Sequence, residues 1–217
     1  AGTVGELLGD AFVKSAKAAG GVSFLPAPHL VNAIVSFARM GARCEPLFRD
    51  AKSRLAGSTS SFTMEQLSSL SWAMMAVGDT CPGALKAIER SVVHQMDRED
   101  GSAVMSATAV ARMAHAFAKL GHSAPALFDY IEGQVVSRAE EFEAKQLASL
   151  AWSFARSERP KPVVFDAIAA VLEPRLEELS PQVLSISMWA FGSTCLGPDS
   201  FFATAGAAAC ACLDTLP

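Results

Sequence analysis

An all-α fold, an α-solenoid of about five 37-residue helix-turn-helix repeats plus a partial N-terminal repeat, is predicted by three observations. The first is a phrase that recurs along the chain: "LSSLSWAMMAVG" (67–78), "LASLAWSFARSE" (147–158) and "LSISMWAFGSTC" (184–195), each holding one of the three tryptophans, Trp72, Trp152 and Trp189. The second is spacing. Trp152 and Trp189 lie 37 residues apart, and the same step leads back from Trp152 to His115 and from Trp72 to Val35. The third is a proline nine to eleven residues after each of these five markers: Pro46, Pro82, Pro125, Pro162 and Pro198. A fixed period of about 20–50 residues is the mark of a repeat array.

The repeats run approximately over 23–60, 61–96, 103–140, 141–177 and 178–214. Only the step from Trp72 to His115 is irregular, at 43 residues, and the charged "DREDGS" (97–102) accounts for the extra six. Within each copy, thirteen residues after the marker come Phe48, Leu85, Phe128, Phe165 and Phe202; twenty after it come Leu55, Val92, Val135, Leu172 and Ala209. Ten before it come Leu25, Phe62, Met105, Phe142 and Leu179.

Each copy reads as a helical hairpin. The first helix carries the marker and stops near Gly41, Gly78 and Gly121 in the first three copies, because glycine enters the left-handed conformation that ends a helix at no steric cost. The proline opens the second helix, where its missing N–H is no loss. Apolar residues at marker +13, +16 and +20, such as Phe165, Ile168 and Leu172, form one face of that helix. The segment 4–19, "VGELLGDAFVKSAKAA", reads as the second helix of a truncated repeat. A lone hairpin cannot bury both helices, so stacking completes the core and residues 1–217 are expected to form one solenoid domain.

Helical periodicity divides the first helix into faces. Columns −5, −2 and +2 form the core stripe: Leu30, Ala33, Phe37; Leu67, Leu70, Met74; Val110, Met113, Phe117; Leu147, Leu150, Phe154; Leu184, Ser187, Phe191. Columns +1 and +3 are nearly all Ala, Ser or Gly, which lets successive first helices approach closely. Columns −3, 0 and +4 remain as a narrow strip: Asn32, Val35, Arg39; Ser69, Trp72, Ala76; Arg112, His115, Lys119; Ser149, Trp152, Arg156; Ile186, Trp189, Ser193. Stacked repeat on repeat, it places aromatic rings beside cations, a chemistry suited to single-stranded nucleic acid, whose bases stack on rings while its phosphates attract cations. The candidate RNA contacts are Asn32, Arg39, Ser69, Trp72, Arg112, His115, Lys119, Ser149, Trp152 and Arg156. The competing reading makes each tryptophan a wedge packed between repeats and each cation a member of a solvated rim.

Composition narrows the function classes. The chain is 51% hydrophobic and 18% charged, enough apolar surface to offset chain entropy. No apolar run reaches the roughly 18 residues that span a bilayer; "FFATAGAAACACL" (201–213) comes closest. The chain starts at Ala1 without a signal-like leader, so it reads as a processed protein or a segment of a longer one. Five cysteines without a CxxC pair (Cys44, Cys81, Cys195, Cys210, Cys212) read as reduced thiols. Nucleotide-loop, zincin and nucleophile-elbow motifs are missing, and His29, His94, His115 and His122 show no metal-ligand spacing. The expectation is no enzyme, no cofactor and no small-molecule substrate.

"QLASLAWSFAR" and "PQVLSISMWAFG" resemble the Leu-Ala-Asn-Leu-Leu-Trp-Ala-Leu-Ala core of octotricopeptide repeats, and the 37-residue period is similar to that of heptatricopeptide repeats found with RAP-domain and FAST-kinase-like proteins. The resemblance runs from about residue 23 to 213. It implies an α-solenoid that binds single-stranded or ribosomal RNA in a mitochondrion, or alternatively a plastid, as a component of a mitochondrial ribosome or other ribonucleoprotein with neighbouring protein subunits. The alternative is a non-catalytic scaffold subunit of a large organellar complex. No RAP module is readable after the last repeat, so no nuclease-like activity is expected. The net charge of −4 and pI of about 5.6 then require a divided field, with acids such as Glu140, Glu141, Glu143, Glu177 and Glu178 on loops and outer helices and the cations in the groove.

Overall fold

The computed structural model describes residues 9, 11, 12, 14, 15, 21–58, 61–96, 105–157 and 160–214. Among them no strand forms, and within each of two compact units the long helices pack against their neighbours in sequence order, as helical repeats do. The chain falls into two compact units, Ala1–Ala124 and Pro125–Pro217, divided between the two helices of the third repeat. The inserted residues 97–102 lie outside the described residues, as does most of segment 4–19.

The first unit holds α1 (Ala27–Arg39), α2 (Glu45–Gly57), α3 (Met64–Ala76), α4 (Pro82–Met96) and α5 (Ala107–Leu120). The first helices α1, α3 and α5 stack on one another; α2 stacks on α4, and each hairpin closes on itself. Ahead of α1, residues 9, 11, 12, 14 and 15 are helical, and Phe12 meets Phe37 edge to face with ring centroids 5.9 Å apart. A Cβ on Gly9 would lie 3.7 Å from Cys44 Sγ, so this helix sits against the first hairpin.

The second unit holds α6 (Pro125–Arg138), α7 (Ala144–Arg156), α8 (Pro162–Leu172), α9 (Pro181–Thr194) and α10 (Asp199–Asp214). Here α7 stacks on α9 and α6 on α8, while α7–α8 and α9–α10 form the hairpins. Lys161, just before α8, ties it to α6 through Asp129 (3.1 Å) and Glu132 (2.8 Å).

Both ends of the first helices are set by column. Nine residues before the marker stand Thr63, Ser106, Glu143 and Ser180, the N-caps of α3, α5, α7 and α9. The Thr63, Ser106 and Ser180 hydroxyls accept from the N–H of Gln66, Ala109 and Val183 at 3.2–3.4 Å, and Gln66 and Gln146 side chains complete reciprocal capping boxes. Six residues after the marker the backbone turns left-handed at Gly41 (φ 67°), Gly78 (φ 68°) and Gly121 (φ 66°). The fifth repeat keeps the turn with Cys195 at φ 53°, a conformation that is strained for a residue with a Cβ.

The core follows the predicted stripe: of its fifteen residues all are buried except Ala33. The +13 column is buried in the first four repeats because it reaches the next hairpin. In the second unit Phe128 meets Phe154, and Phe165 meets Phe191, at centroid distances of 5.2 and 5.1 Å and interplanar angles of 89° and 84°. Each pair joins +13 of one repeat to +2 of the next, an edge-to-face contact worth about 0.5–1.5 kcal/mol beyond burial. Phe202 holds the same column in the fifth repeat but is exposed, while Phe201 beside it is buried and stacks on Phe191 at 4.0 Å.

The close seam between first helices draws on small residues from both flanks of the strip. Buried small residues stand at −4 and −1 in the second to fourth repeats (Ser68 and Ser71, Ala111 and Ala114, Ala148 and Ala151), whereas Ser185 and Met188 of the fifth are exposed. At +1, Ala73, Ala116, Ser153 and Ala190 are buried and Ser36 is exposed; at +3, Ala38 and Ala118 are buried, Met75 and Ala155 half-buried and Gly192 exposed. Ser68 Oγ donates to the Ala109 carbonyl at 3.0 Å across α3 and α5, so the seam carries a buried hydrogen bond as well as small side chains. Such a group left unpaired would carry its full desolvation cost.

Candidate nucleic-acid interface

None of the fifteen strip residues is buried. The faces on either side of the strip are taken by the neighbouring first helices and by the hairpin partner, which leaves columns −3, 0 and +4 facing outward. The tryptophans divide between the two sequence readings: Trp72 and Trp152 are half-buried, and Trp189 is 47% exposed.

In the first unit Asn32 and Arg39 lie exposed on α1, and Ser69 and Trp72 half-buried on α3. Arg112 reaches across from α5 and donates from Nη1 to Ser69 Oγ at 3.2 Å, joining the −3 positions of consecutive repeats. Among the described residues no hydrogen bond, ion pair or ring contact joins Asn32 or Arg39 side chains to Ser69 or Trp72. His115 is half-buried one turn before exposed Lys119. Burial, and then the Lys119 ammonium, hold its imidazole pKa below the ordinary 6.5, so it is neutral at neutral pH.

In the second unit Ser149, Trp152 and Arg156 occupy α7. The Arg156 guanidinium sits over the Trp152 ring at 5.7 Å from its centroid, a cation–π contact. Trp152 also meets Trp189 of α9 at 6.4 Å, with the ring planes tilted by 37°. The Ser149 carbonyl accepts from Ser153 Oγ at 2.6 Å. Trp189, the most exposed ring on the strip, belongs to it by spacing but was not among the candidate contacts. Its adjacency to Trp152, one period away, was the available signal.

Charge separates along the same lines. The five first helices hold Arg39, Arg112, Lys119, Lys145 and Arg156 against one carboxylate, Glu65 in the first turn of α3, in a chain whose net charge is −4. Glu140 and Glu141 stand exposed in a 3-10 turn, Glu177 and Glu178 in another, and Glu143 caps α7. Four of the strip cations (Arg39, Arg112, Lys119, Arg156) have no carboxylate partner among the described residues, whereas Arg43 and Lys52 converge on buried Asp79 at 3.2 and 2.6 Å. An anion approaching the strip therefore need not displace an internal ion pair.

Among the described residues no helix is long and apolar enough to cross a membrane, and no three His, Cys, Asp or Glu side chains group as metal ligands would. Among the described residues Cys44, Cys81, Cys195 and Cys210 form no disulfide. No protein-family model and no curated protein matches the sequence.

Proposed function

We propose that this chain is an organellar RNA-binding helical-repeat protein of the heptatricopeptide or octotricopeptide kind, non-catalytic, acting within a mitochondrial ribosome or another ribonucleoprotein, with a plastid as the alternative site. The observation that carries the reading is the outward strip of the first helices, which bears cations and indoles and no carboxylate in a chain that is acidic overall. The organelle comes from the repeat resemblance alone. Single-stranded RNA fits because its phosphates take the cations while unpaired bases take the rings.

The test is binding of a labelled random-sequence single-stranded RNA pool across a salt series, for wild type and the Arg112→Ala/Lys119→Ala/Arg156→Ala triple variant. Binding that weakens steeply with salt and falls in the variant supports the reading. No binding at low salt removes it.

The second reading is a protein scaffold in a large organellar complex, favoured by exposed Met188, Trp189 and Phe202 on the fifth hairpin. These are apolar side chains of the size that interfaces bury.

A further inference from the structure

We infer that Trp189, backed by Trp152 and flanked by Arg156, is a stacking platform for one unpaired nucleobase; the inference rests on the RNA-binding reading and adds to it a site in the second unit. Three features of the cluster bear on the ligand. Trp189 is 47% exposed, so ring surface is open to a partner. It is also held, because Trp152 lies 6.4 Å away at a 37° tilt, which restrains the indole before any ligand arrives. A restrained ring loses less side-chain freedom on binding than a free one. Beside the rings, Arg156 is exposed, lies 5.7 Å from the Trp152 centroid and has no carboxylate partner among the described residues.

The chemistry of these groups selects among ligands. An open indole face takes a planar ring. A cationic ligand is disfavoured, because Arg156 repels it and the strip supplies no carboxylate to balance it. A plain apolar side chain would cover Trp189 but leave the guanidinium's charge unanswered. A ligand both planar and anionic satisfies ring and cation together, and a nucleotide within a single strand is both. Arg156 then meets the phosphate and Trp189 the base, with no reading of base edges, so the site tolerates any sequence.

The experiment compares two octamers at low salt: an oligoadenylate and an abasic ribose-phosphate strand of equal phosphate count. A Trp72→Phe background leaves Trp152 and Trp189 as the only tryptophans. The expected result is quenching of emission by the oligoadenylate and weaker, unquenched binding of the abasic strand. Trp189→Ala should weaken oligoadenylate binding about five- to hundred-fold, the range of one stacked base, and Trp189→Phe should restore most of it. Because the side chain is half in solvent, circular dichroism of Trp189→Ala should match wild type. Equal affinity for both octamers, or a Trp189→Ala variant that binds oligoadenylate as wild type does, overturns the platform and leaves the RNA reading standing. Failure of both strands to bind at low salt overturns both.

Discussion

The two units share a hairpin frame and differ in what they place on it. The first carries twelve Lys and Arg against ten Asp and Glu; the second carries six against twelve. The first joins α3 to α5 with a serine hydrogen bond, Ser68 to the Ala109 carbonyl, and lines its strip with one indole, Trp72, beside Arg39, Arg112, His115 and Lys119. The second joins successive hairpins with edge-to-face phenylalanine pairs and lines its strip with Trp152, Trp189 and Arg156. One periodic scaffold thus tolerates two kinds of inter-repeat joint and two kinds of outward face. The repeat demands only that a column be filled and that the seam be narrow; it leaves the chemistry of the open column free.

The largest expected effect tests the joints. Phe165→Ala removes a fully buried ring from the pair with Phe191 and should destabilise the protein by about 3–5 kcal/mol. Ser68→Ala in the first unit, read by the same chemical denaturation, should cost only about 1 kcal/mol, since it deletes a hydrogen bond and leaves the packing volume nearly unchanged. Equal losses would mean that the aromatic pairs are incidental.

The second comparison concerns the outward faces. Arg112→Ala/Lys119→Ala should flatten the plot of log binding constant against log salt by about 0.7 for each phosphate left without its cation. Trp189→Ala should leave that slope in place and erase the preference for base-bearing strands. Variants that change slope and base preference together would show that the two outward faces do not differ in chemistry.

Two smaller effects probe helix ends. Thr63→Ala deletes the cap of α3 and its reciprocal box, and should cost about 1 kcal/mol. Cys195→Gly relieves the left-handed turn that ends α9 and should raise stability by about 0.5–1 kcal/mol, part of the gain being returned as greater freedom of the unfolded chain. Thermal or denaturant midpoints report both.

The smallest effect is a pH dependence confined to the first unit. The His115 pKa is lower folded than unfolded, so the unfolded chain binds the proton first as pH falls. Stability should therefore be full above about 6.5 and decline as pH drops below that value. In His115→Gln this component of the decline should vanish from denaturation midpoints taken between neutral and acid pH. A profile identical to wild type would show that His115 is not desolvated.

Much of the hairpin was legible in the chain because it rests on local rules. The core stripe, the prolines that open second helices and the Gly41, Gly78 and Gly121 stops all depend on residues within a turn or two of one another, and the period repeats that local pattern. Cys195 was not legible as a stop, since a side chain in the left-handed region is held there by its surroundings rather than by its own preference. Residue size alone points to a seam at +1 and +3; +1 is buried in four of the repeats, and buried small residues at −4 and −1 add to it. Small residues occur in all four columns, and only the neighbour's angle of approach decides which of them touch.

The candidate site divides in the same way. Spacing put Arg112, His115, Lys119, Trp152 and Arg156 on one face of their helices, and that face is open. Contacts between repeats, such as Arg112 with Ser69 or Trp152 with Trp189, depend on how one hairpin is set against the next. By itself the sequence determined the repeat, its register, the buried stripe and the acid-free strip, because periodicity and local propensity act along the chain. Only the tertiary structure decided that Phe165 is buried against the next hairpin and that the indoles stand half out of the packing, because both turn on how neighbouring helices are set against one another.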